Sequence, residues 1–434
     1  MNSLKIAVIG AGSTYTPELI NGFITRNGQL KIDSFYMMDI DRGKNEIVTG
    51  LGKRMLEANG INAKVIITES LEEAIEGADY VLGQIRVGKL DARIKDEKIP
   101  LKYDLLGQET TGAGGMMKAL RTIPVVMDIA KKIEKLSPEA WFINFSNPSG
   151  IIAETLLNNT NVKMIGLCNA PINMIRRAKE MLPENTTDFD YDFVGLNHLF
   201  WITAVYADRK EILQNLFSGG YKNNSLKNVP EVIYDEALLK SIRGLPVSYL
   251  NYYYFRDKML AEYKAAEKSR GEECKSIEEE LLKLYKDTNL KEKPQVLDKR
   301  GGAMYSEAAV SLVDAIENDK NEIHVVDVKN NGAYSFMGND DVVEAKCLVN
   351  RKGATPLKLE GFNNQHIIGL MQAVKAYEKL TVKAGLEGSY EAALGALLVH
   401  PLIGDYYKAK SVLDEMLEAH QEFLPRFARE EKRK

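Results

Sequence analysis

One thiol and one imidazole, Cys168 and His198, stand thirty residues apart in this chain of 434. Each closes a short apolar run: Val162-Lys-Met-Ile-Gly-Leu leads into Cys168, and Phe193-Val-Gly-Leu-Asn197 leads into His198. A thiolate and a neutral imidazole are good ligands for a divalent transition ion. Two of them are too few for a closed structural site, so an ion held there would stay open to substrate. The other reading is that both are core residues, since a free cysteine packs as a small hydrophobe. Amides cluster nearby in Asn144-Phe-Ser-Asn147-Pro-Ser-Gly150, at the end of another apolar run, where an amide can hold a substrate oxygen. Asn147-Pro148 is equally a turn-former. Downstream, Tyr249-Leu-Asn-Tyr252-Tyr253-Tyr254 offers a phenol as a base, provided that nearby cations lower its pKa. An aromatic stripe packed in the core is the alternative for the same segment.

Upstream of these groups, Arg86, Lys89, Arg93, Lys95, Lys98 and Lys102 fall within seventeen positions, interleaved with acids as on an exposed helix. Arg86 and Arg93 are the two expected to face the site, because a guanidinium grips phosphate or vicinal hydroxyls bidentately. Gly107-Gln-Glu109-Thr-Thr-Gly112-Ala-Gly114-Gly115 follows, with a helix expected from about Met116. So many glycines suggest either backbone packed against a ligand or a hinge.

These groups need a scaffold, and the N-terminal part reads as one. Lys5-Ile-Ala-Val-Ile-Gly10 is a buried-strand pattern, followed by Ala11-Gly12-Ser13-Thr14 and a helix opening near Pro17. Strand, glycine turn and helix start make a nucleotide-binding unit. Gly10 permits the turn, and Gly12 lets a pyrophosphate approach the helix N-terminus. The third glycine of the usual fingerprint is replaced by Tyr15. A second strand, Ser34 to Asp39, ends in an acid placed to accept hydrogen bonds from an adenosine ribose, which favours NAD over NADP. Further runs at 64–68, 78–83 and 141–144, separated by helical stretches, argue a doubly wound parallel sheet. Ligands bind at the carboxyl ends of such strands, which is where Gln84, Arg86 and Asn144 would lie. Positions 256–300 read as a solvated amphipathic helix or a lid, and Arg300-Gly-Gly as a turn fit for an anion.

Composition sets the outer limits. Hydrophobic residues at 45% and charged residues at 27% are ordinary for a globular protein. The net charge of −4 gives no field to gather nucleic acid, and no run of about eighteen apolar residues marks a membrane span. Three cysteines form no disulfide framework, and no signal-peptide pattern precedes the first strand, so a cytoplasmic location is expected.

Taken together and in order, the motifs Gly10-Ala-Gly-Ser-Thr-Tyr-Thr-Pro-Glu-Leu19, Gly107-Gln-Glu-Thr-Thr-Gly112, Asn144-Phe-Ser-Asn-Pro-Ser-Gly150, Gly166-Leu-Cys-Asn-Ala-Pro171, Gly195-Leu-Asn-His198 and Arg300-Gly-Gly-Ala-Met-Tyr-Ser306 resemble glycoside hydrolase family four. This is a family of NAD- and metal-dependent glycosidases, and within it the likeness is to the 6-phospho-β-glucosidases. The resemblance implies an α/β fold: a Rossmann-like doubly wound parallel sheet followed by an α+β domain, as in lactate and malate dehydrogenases. The corresponding division is a nucleotide domain, 1–165, and a metal, substrate and oligomerisation domain, 166–434. It implies hydrolysis without the usual carboxylate pair: NAD transiently oxidises sugar carbon 3, a base removes the carbon-2 proton, the aglycone is eliminated, water adds and hydride returns. Cys168 and His198 are the implied metal ligands, with manganese(II) the expected ion. Gly10, Gly12, Ser13, Thr14, Asp39, Arg86 and Asn144 are the implied NAD contacts. Arg93, Asn147 and Arg300 are implied for the phosphosugar, Arg300 at its 6-phosphate.

Tyr249 is the implied base, since the family's tyrosine precedes a Leu-x-Tyr-Tyr run, with Glu109 helping to poise it. Asn169 stands where relatives acting on α-linked phosphoglucosides carry an acidic residue, which favours a β-linked substrate. A homo-oligomer, dimer or tetramer, is also implied. Other specificities within the family, towards 6-phospho-α-glucosides or galactosides, are the alternatives, with a 2-hydroxy acid dehydrogenase and an NAD-binding sensor outside it.

Overall fold

The computed structural model describes residues 3–223, 229–300 and 305–427. Along the chain the strands are β1 (Leu4–Ile9), β2 (Ile32–Met38), β3 (Lys64–Thr68), β4 (Tyr80–Gly83), β5 (Trp141–Asn144), β6 (Lys163–Gly166), β7 (Phe189–Leu196), β8 (Leu199–Ala207), β9 (Lys210–Glu211), β10 (Tyr221–Asn223), β11 (Val232–Tyr234), β12 (Leu245–Pro246), β13 (Glu322–Lys329), β14 (Val342–Asn350) and β15 (Gly353–Pro356). The helices include α1 (Thr16–Thr25), α2 (Arg42–Ala58), α3 (Leu71–Ile75), α4 (Lys89–Leu101), α5 (Gly112–Leu136), α6 (Ser149–Asn159), α7 (Ala170–Glu180), α8 (Glu236–Ile242), α9 (Asn251–Tyr254), α10 (Arg256–Ala265), α11 (Arg270–Tyr285), α12 (Tyr305–Glu317) and α13 (Gln365–Glu387).

A nine-stranded sheet runs in the order β15-β14-β13-β6-β5-β4-β1-β2-β3. The six strands from β3 to β6 are parallel throughout. Helices cover both faces of such a sheet, which is why the apolar runs read from the sequence are continuous rather than alternating. Strand order reverses between β1 and β4, and the crevice at that reversal is where a ligand seats in a doubly wound fold. Antiparallel strands β13, β14 and β15 extend the sheet beyond β6. The division expected after residue 165 thus falls inside β6, and the C-terminal part continues the same sheet. A smaller antiparallel sheet, β12-β8-β7, stands beside it.

Local chemistry sets the helix starts. Asp41 accepts from the Lys44 amide to cap α2, and the Ser70 hydroxyl accepts from the Glu73 amide to cap α3. Pro17 sits in the first turn of α1, where its missing N–H costs nothing. The helix expected from Met116 begins earlier, at Gly112. Segment 256–300 forms α10 and α11, and α11 packs on α2 and α4 instead of standing in solvent. Among the described residues, no helix is long and apolar enough to cross a membrane.

Candidate active site

A cavity of about 1250 Å³ opens at the carboxyl ends of β1, β2, β4 and β5. At one end lies the turn after β1. Gly10 has φ +90°, and a β-carbon there would stand 2.9 Å from the Gln84 carbonyl oxygen, so only glycine fits. A β-carbon at Gly12 would meet the Asp39 carboxylate at 2.9 Å. Asp39, one residue beyond β2, accepts from the Gly12 and Asp41 amides at 2.8 and 2.9 Å, which aims its carboxylate along the crevice. Gly10, Gly12, Ser13 and Asp39 all line the cavity. Two expected cofactor contacts do not. Thr14 is fully buried and accepts a hydrogen bond from Arg300, while the Asn144 amide is turned into its own loop, bonded to both the N–H and the carbonyl of Ser146.

The middle of the cavity is an electrostatic cage. Glu109, almost fully buried, accepts from Arg86, from Lys118 at 2.8 Å and pairs with Arg93 at 2.9 Å. Burial alone would raise its pKa, but the three cations hold it well below the usual carboxylate range. Burial, with Arg86 close by, pulls the Lys118 ammonium down to about 7 against the opposing pull of Glu109. Arg93 also binds Glu97 at 2.8 Å and approaches the Cys274 sulfur of α11 at 3.7 Å. Arg86 and Arg93 therefore do reach the cavity as the sequence suggests, but bound to Glu109 and not open-handed. Lys118 escaped the sequence reading. Its signal was a single lysine between Met117 and Ala119 in an otherwise apolar opening of α5.

Glycines 107, 114 and 115 depart from expectation. A β-carbon on Gly107 would lie 1.6 Å from the Glu97 carbonyl oxygen, and those on Gly114 and Gly115 would strike the backbone of Gln108 and Thr110 at 2.3 and 2.5 Å. They serve close backbone packing within the protein, which fixes Glu109 in its cage, and not contact with a ligand.

At the far end are the expected sugar groups, while the expected metal ligands Cys168 and His198 are buried beyond the cavity wall and do not line it. Asn147, Asn169 and Tyr249 line the cavity. The Asn147 side-chain oxygen is buried and has no protein partner, an acceptor left for a ligand. Cys168 follows β6 and precedes α7, whose Ala170 amide donates to the sulfur at 3.4 Å; a helix N-terminus there favours the thiolate. His198 sits in the two-residue turn between β7 and β8 with φ +64°, nearly buried, with its Nδ1 lacking any hydrogen-bond partner. Burial pushes its pKa down to about 3, so the imidazole is neutral and its lone pair available. An orphaned ring nitrogen and a helix-capped sulfur suit a soft divalent ion. Among the described residues no group of three or more His, Cys, Asp or Glu side chains could hold a metal, so an ion here would need oxygens from elsewhere.

The structure also separates the tyrosines. The Tyr249 ring packs on His198 with centroids 4.1 Å apart. Tyr252 bonds Tyr263 at 2.7 Å, Tyr253 bonds Thr111 at 3.0 Å, and Tyr254 bonds His366 at 2.8 Å; none of these three lines the cavity. Arg300 is held at the dinucleotide end, bonded to Thr14, 3.5 Å from Glu278 and stacked 5.0 Å over the Tyr15 ring. The rest of its motif, residues 301–304, lies outside the described residues.

Comparison with known proteins agrees with this architecture. The family 4 glycosyl hydrolase model matches residues 5–184, and the model for the C-terminal domain of the same family matches 193–403. The chain is 41% identical over 433 residues to a probable 6-phospho-beta-glucosidase of Bacillus subtilis, covering 98% of both. It is 40% identical to the 6-phospho-beta-glucosidase of Escherichia coli, covering 98% of this chain and 97% of the other. The structure of the 6-phospho-beta glucosidase from Thermotoga maritima with manganese, NAD+ and glucose-6-phosphate superposes with a TM-score of 0.87 at 38% identity, covering 97% of this chain and 99% of that one. Malate dehydrogenase from Plasmodium falciparum shares the fold alone, at a TM-score of 0.52 and 14% identity over 88% of this chain and 99% of its own. By sequence and fold, this protein belongs to the family 4 glycosyl hydrolases.

Proposed function

We propose that this chain hydrolyses 6-phospho-β-glucosides to glucose 6-phosphate and an aglycone, in the cytoplasm and as a homo-oligomer, with residues 1–165 supplying the nucleotide site and 166–434 the metal, sugar and subunit surfaces. The observation that carries this reading is one cavity that joins a dinucleotide turn to the Asn147, Asn169 and Tyr249 side chains, with His198 packed directly behind Tyr249. NAD, when bound, supplies a reversible hydride acceptor for carbon 3 of the sugar, and manganese(II) supplies a Lewis acid for the neighbouring oxygens.

The chain's own residues divide the remaining work. Asp39 and the Gly10–Ser13 turn orient the nucleotide. Cys168 and His198 would hold the ion. Asn147 accepts from a sugar hydroxyl through its unpartnered oxygen. Tyr249, against the His198 ring, takes the carbon-2 proton. Glu109 serves this base indirectly, by fixing Arg86, Arg93 and Lys118 as a positive wall. Such a wall draws in a phosphorylated sugar. Asn169, an amide beside the thiol, cannot protonate a departing oxygen as a carboxylic acid would. That suits a β-linked substrate.

Product analysis on matched α- and β-linked 6-phosphoglycosides, with NAD and manganese present, tests the reading. The β-linked compound is cleaved, no NADH accumulates, and chelation stops turnover until manganese is returned. Cleavage of the α-linked compound alone, accumulation of NADH, or full activity without metal and NAD would each refute it.

A further inference from the structure

Behind the cavity, among residues that no step above uses, two carboxyl groups lie side by side in the sheet. Asp327 on β13 and Glu344 on β14 are register partners in an antiparallel pair, so their side chains share a face, and both are fully buried. Each reaches one turn of the site. The Ser149 hydroxyl, two residues after Asn147, donates to Asp327 Oδ2 at 2.6 Å. The Asn197 amide, adjacent to His198, donates to Glu344 Oε1 at 3.1 Å. Asp327 is also the register partner of Gly166, two residues before Cys168, where a β-carbon would lie 2.7 Å from Asp327 Oδ2. The two turns themselves touch, since a β-carbon on Gly150 would stand 2.9 Å from that of Asn197. Three site loops thus converge on one carboxyl pair, and the motif glycines at 150 and 166 are the space that lets them.

The remaining oxygens, Asp327 Oδ1 and Glu344 Oε2, are buried without a partner. The nearby buried ammonium, Lys375, is already engaged by Glu154 and Glu378. Two uncompensated carboxylates cannot both stay ionised in such a place, whereas one proton between them gives each orphaned oxygen a partner. Burial pushes Asp327 up to about 7 and, with Asp327 beside it, Glu344 well above the carboxylate range, as a proton-sharing pair requires.

We propose that Asp327 and Glu344 are positioning residues: bridged to each other, they tie the Asn147 turn through Ser149 to the His198 turn through Asn197, and so set the spacing between sugar amide and metal imidazole. This rests on the proposed function for what the two turns bind, but the tie itself does not.

The test uses the NAD-loaded protein and four variants. Asp327→Ala and Glu344→Ala cut the tie. Asp327→Asn and Glu344→Gln keep one donor and one acceptor at the same place, as the protonated member would. The alanine variants are expected to lose about tenfold or more in manganese(II) affinity, read by electron paramagnetic resonance, as outer residues behind metal ligands do. KM for a 6-phospho-β-glucoside rises in parallel, NAD affinity is unchanged, and the amide variants stay close to the parent. Should an alanine variant fail to fold, Ser149→Ala and Asn197→Ala release one turn each while leaving the carboxyl pair in place. Unchanged manganese affinity and KM in the alanine variants would overturn the proposal. So would amide variants as impaired as alanine, or NAD affinity falling alongside. If the parent itself neither binds manganese nor hydrolyses the substrate, the proposed function fails on its own. Hydrogen exchange then decides the tie: faster exchange at both 147–150 and 195–199 in the alanine variants supports it, and unchanged exchange refutes it.

Discussion

Glu109→Gln is the most demanding perturbation of this cavity, because it leaves the shape intact and removes one charge. In the native protein that carboxylate faces Arg86, Arg93 and Lys118, all within 2.9 Å. A glutamine leaves three cations crowded around a neutral amide. Breaking a buried ion pair on one side costs about 3–5 kcal/mol, mostly through the charge left unpaired. With an unfolding entropy of about 2.1 cal/mol/K per residue, 434 residues give about 0.9 kcal/mol/K, so the melting midpoint should drop by about 3–6 °C. Lys118 is the cation most easily neutralised, since burial already holds it at about 7. It follows that Lys118→Met should also destabilise, but the double variant should lose less than the two singles added together, with a coupling of about 1–3 kcal/mol. Calorimetric melting of the four proteins at pH 7.5 measures the cycle, and inorganic phosphate should recover part of the loss in Glu109→Gln alone. Strict additivity, with no response to phosphate, would mean that Glu109 is not the anchor of the cage.

The remaining predictions are simpler. Tyr249→Phe and Cys168→Ser should each reduce turnover by at least a hundredfold while NAD affinity, read by fluorescence titration, stays within twofold, about what loss of a general base or a metal ligand costs. His400 is fully buried, and burial lowers its pKa from 6.5 to about 3. The unfolded chain therefore takes up a proton on acidification that the folded one refuses, and stability falls as pH drops through 6.5. Two pH units below that value the loss from this residue is about 2.7 kcal/mol, at about 1.36 kcal/mol per unit, so His400→Gln should make the stability profile between pH 6.5 and 4.5 shallower by about one proton in chemical denaturation, with His198 still contributing its own share. Gly107→Ala would place a methyl 1.6 Å from a backbone oxygen. It should cost more than the about 1–3 kcal/mol of ordinary overpacking, visible as lost soluble protein or a lowered melting point.

Much of the architecture could be read directly from the residues. Strands buried on both faces leave continuous apolar runs, so β1 to β6 stand within a few residues of their expected places. Asp39, at a strand tip after the glycine turn, also lies where the pattern demands. What the residues do not reveal is which polar groups a distant segment will claim. Thr14 is taken by Arg300 and Asn144 by its own loop, 286 and 2 positions away. Arg86 and Arg93 are taken by Glu109, an acid that spacing alone does not bring between them. The extension of the sheet by β13 to β15 is equally hidden: the 322–327 run reads as a strand, but nothing local says that it pairs with β6, 156 residues earlier.

The glycines make the same point from the opposite side. In a motif such as Gly107-Gln-Glu-Thr-Thr-Gly112, glycine invites the inference that a ligand comes close. Here Gly107, Gly114 and Gly115 admit other parts of the backbone, and Gly150 and Gly166 admit Asn197 and Asp327. Gly10 and Gly12 at the dinucleotide turn, and Gly88 just before α4, combine a forbidden β-carbon with a place on the cavity wall. A motif glycine thus reports that something must approach, and the tertiary structure decides whether it is a ligand or the scaffold. Around Cys168 and His198 it is scaffold. If so, the spacing of the metal site depends less on the residues that touch the ion than on buried groups one layer back, which bring three loops from separate parts of the chain to a common point.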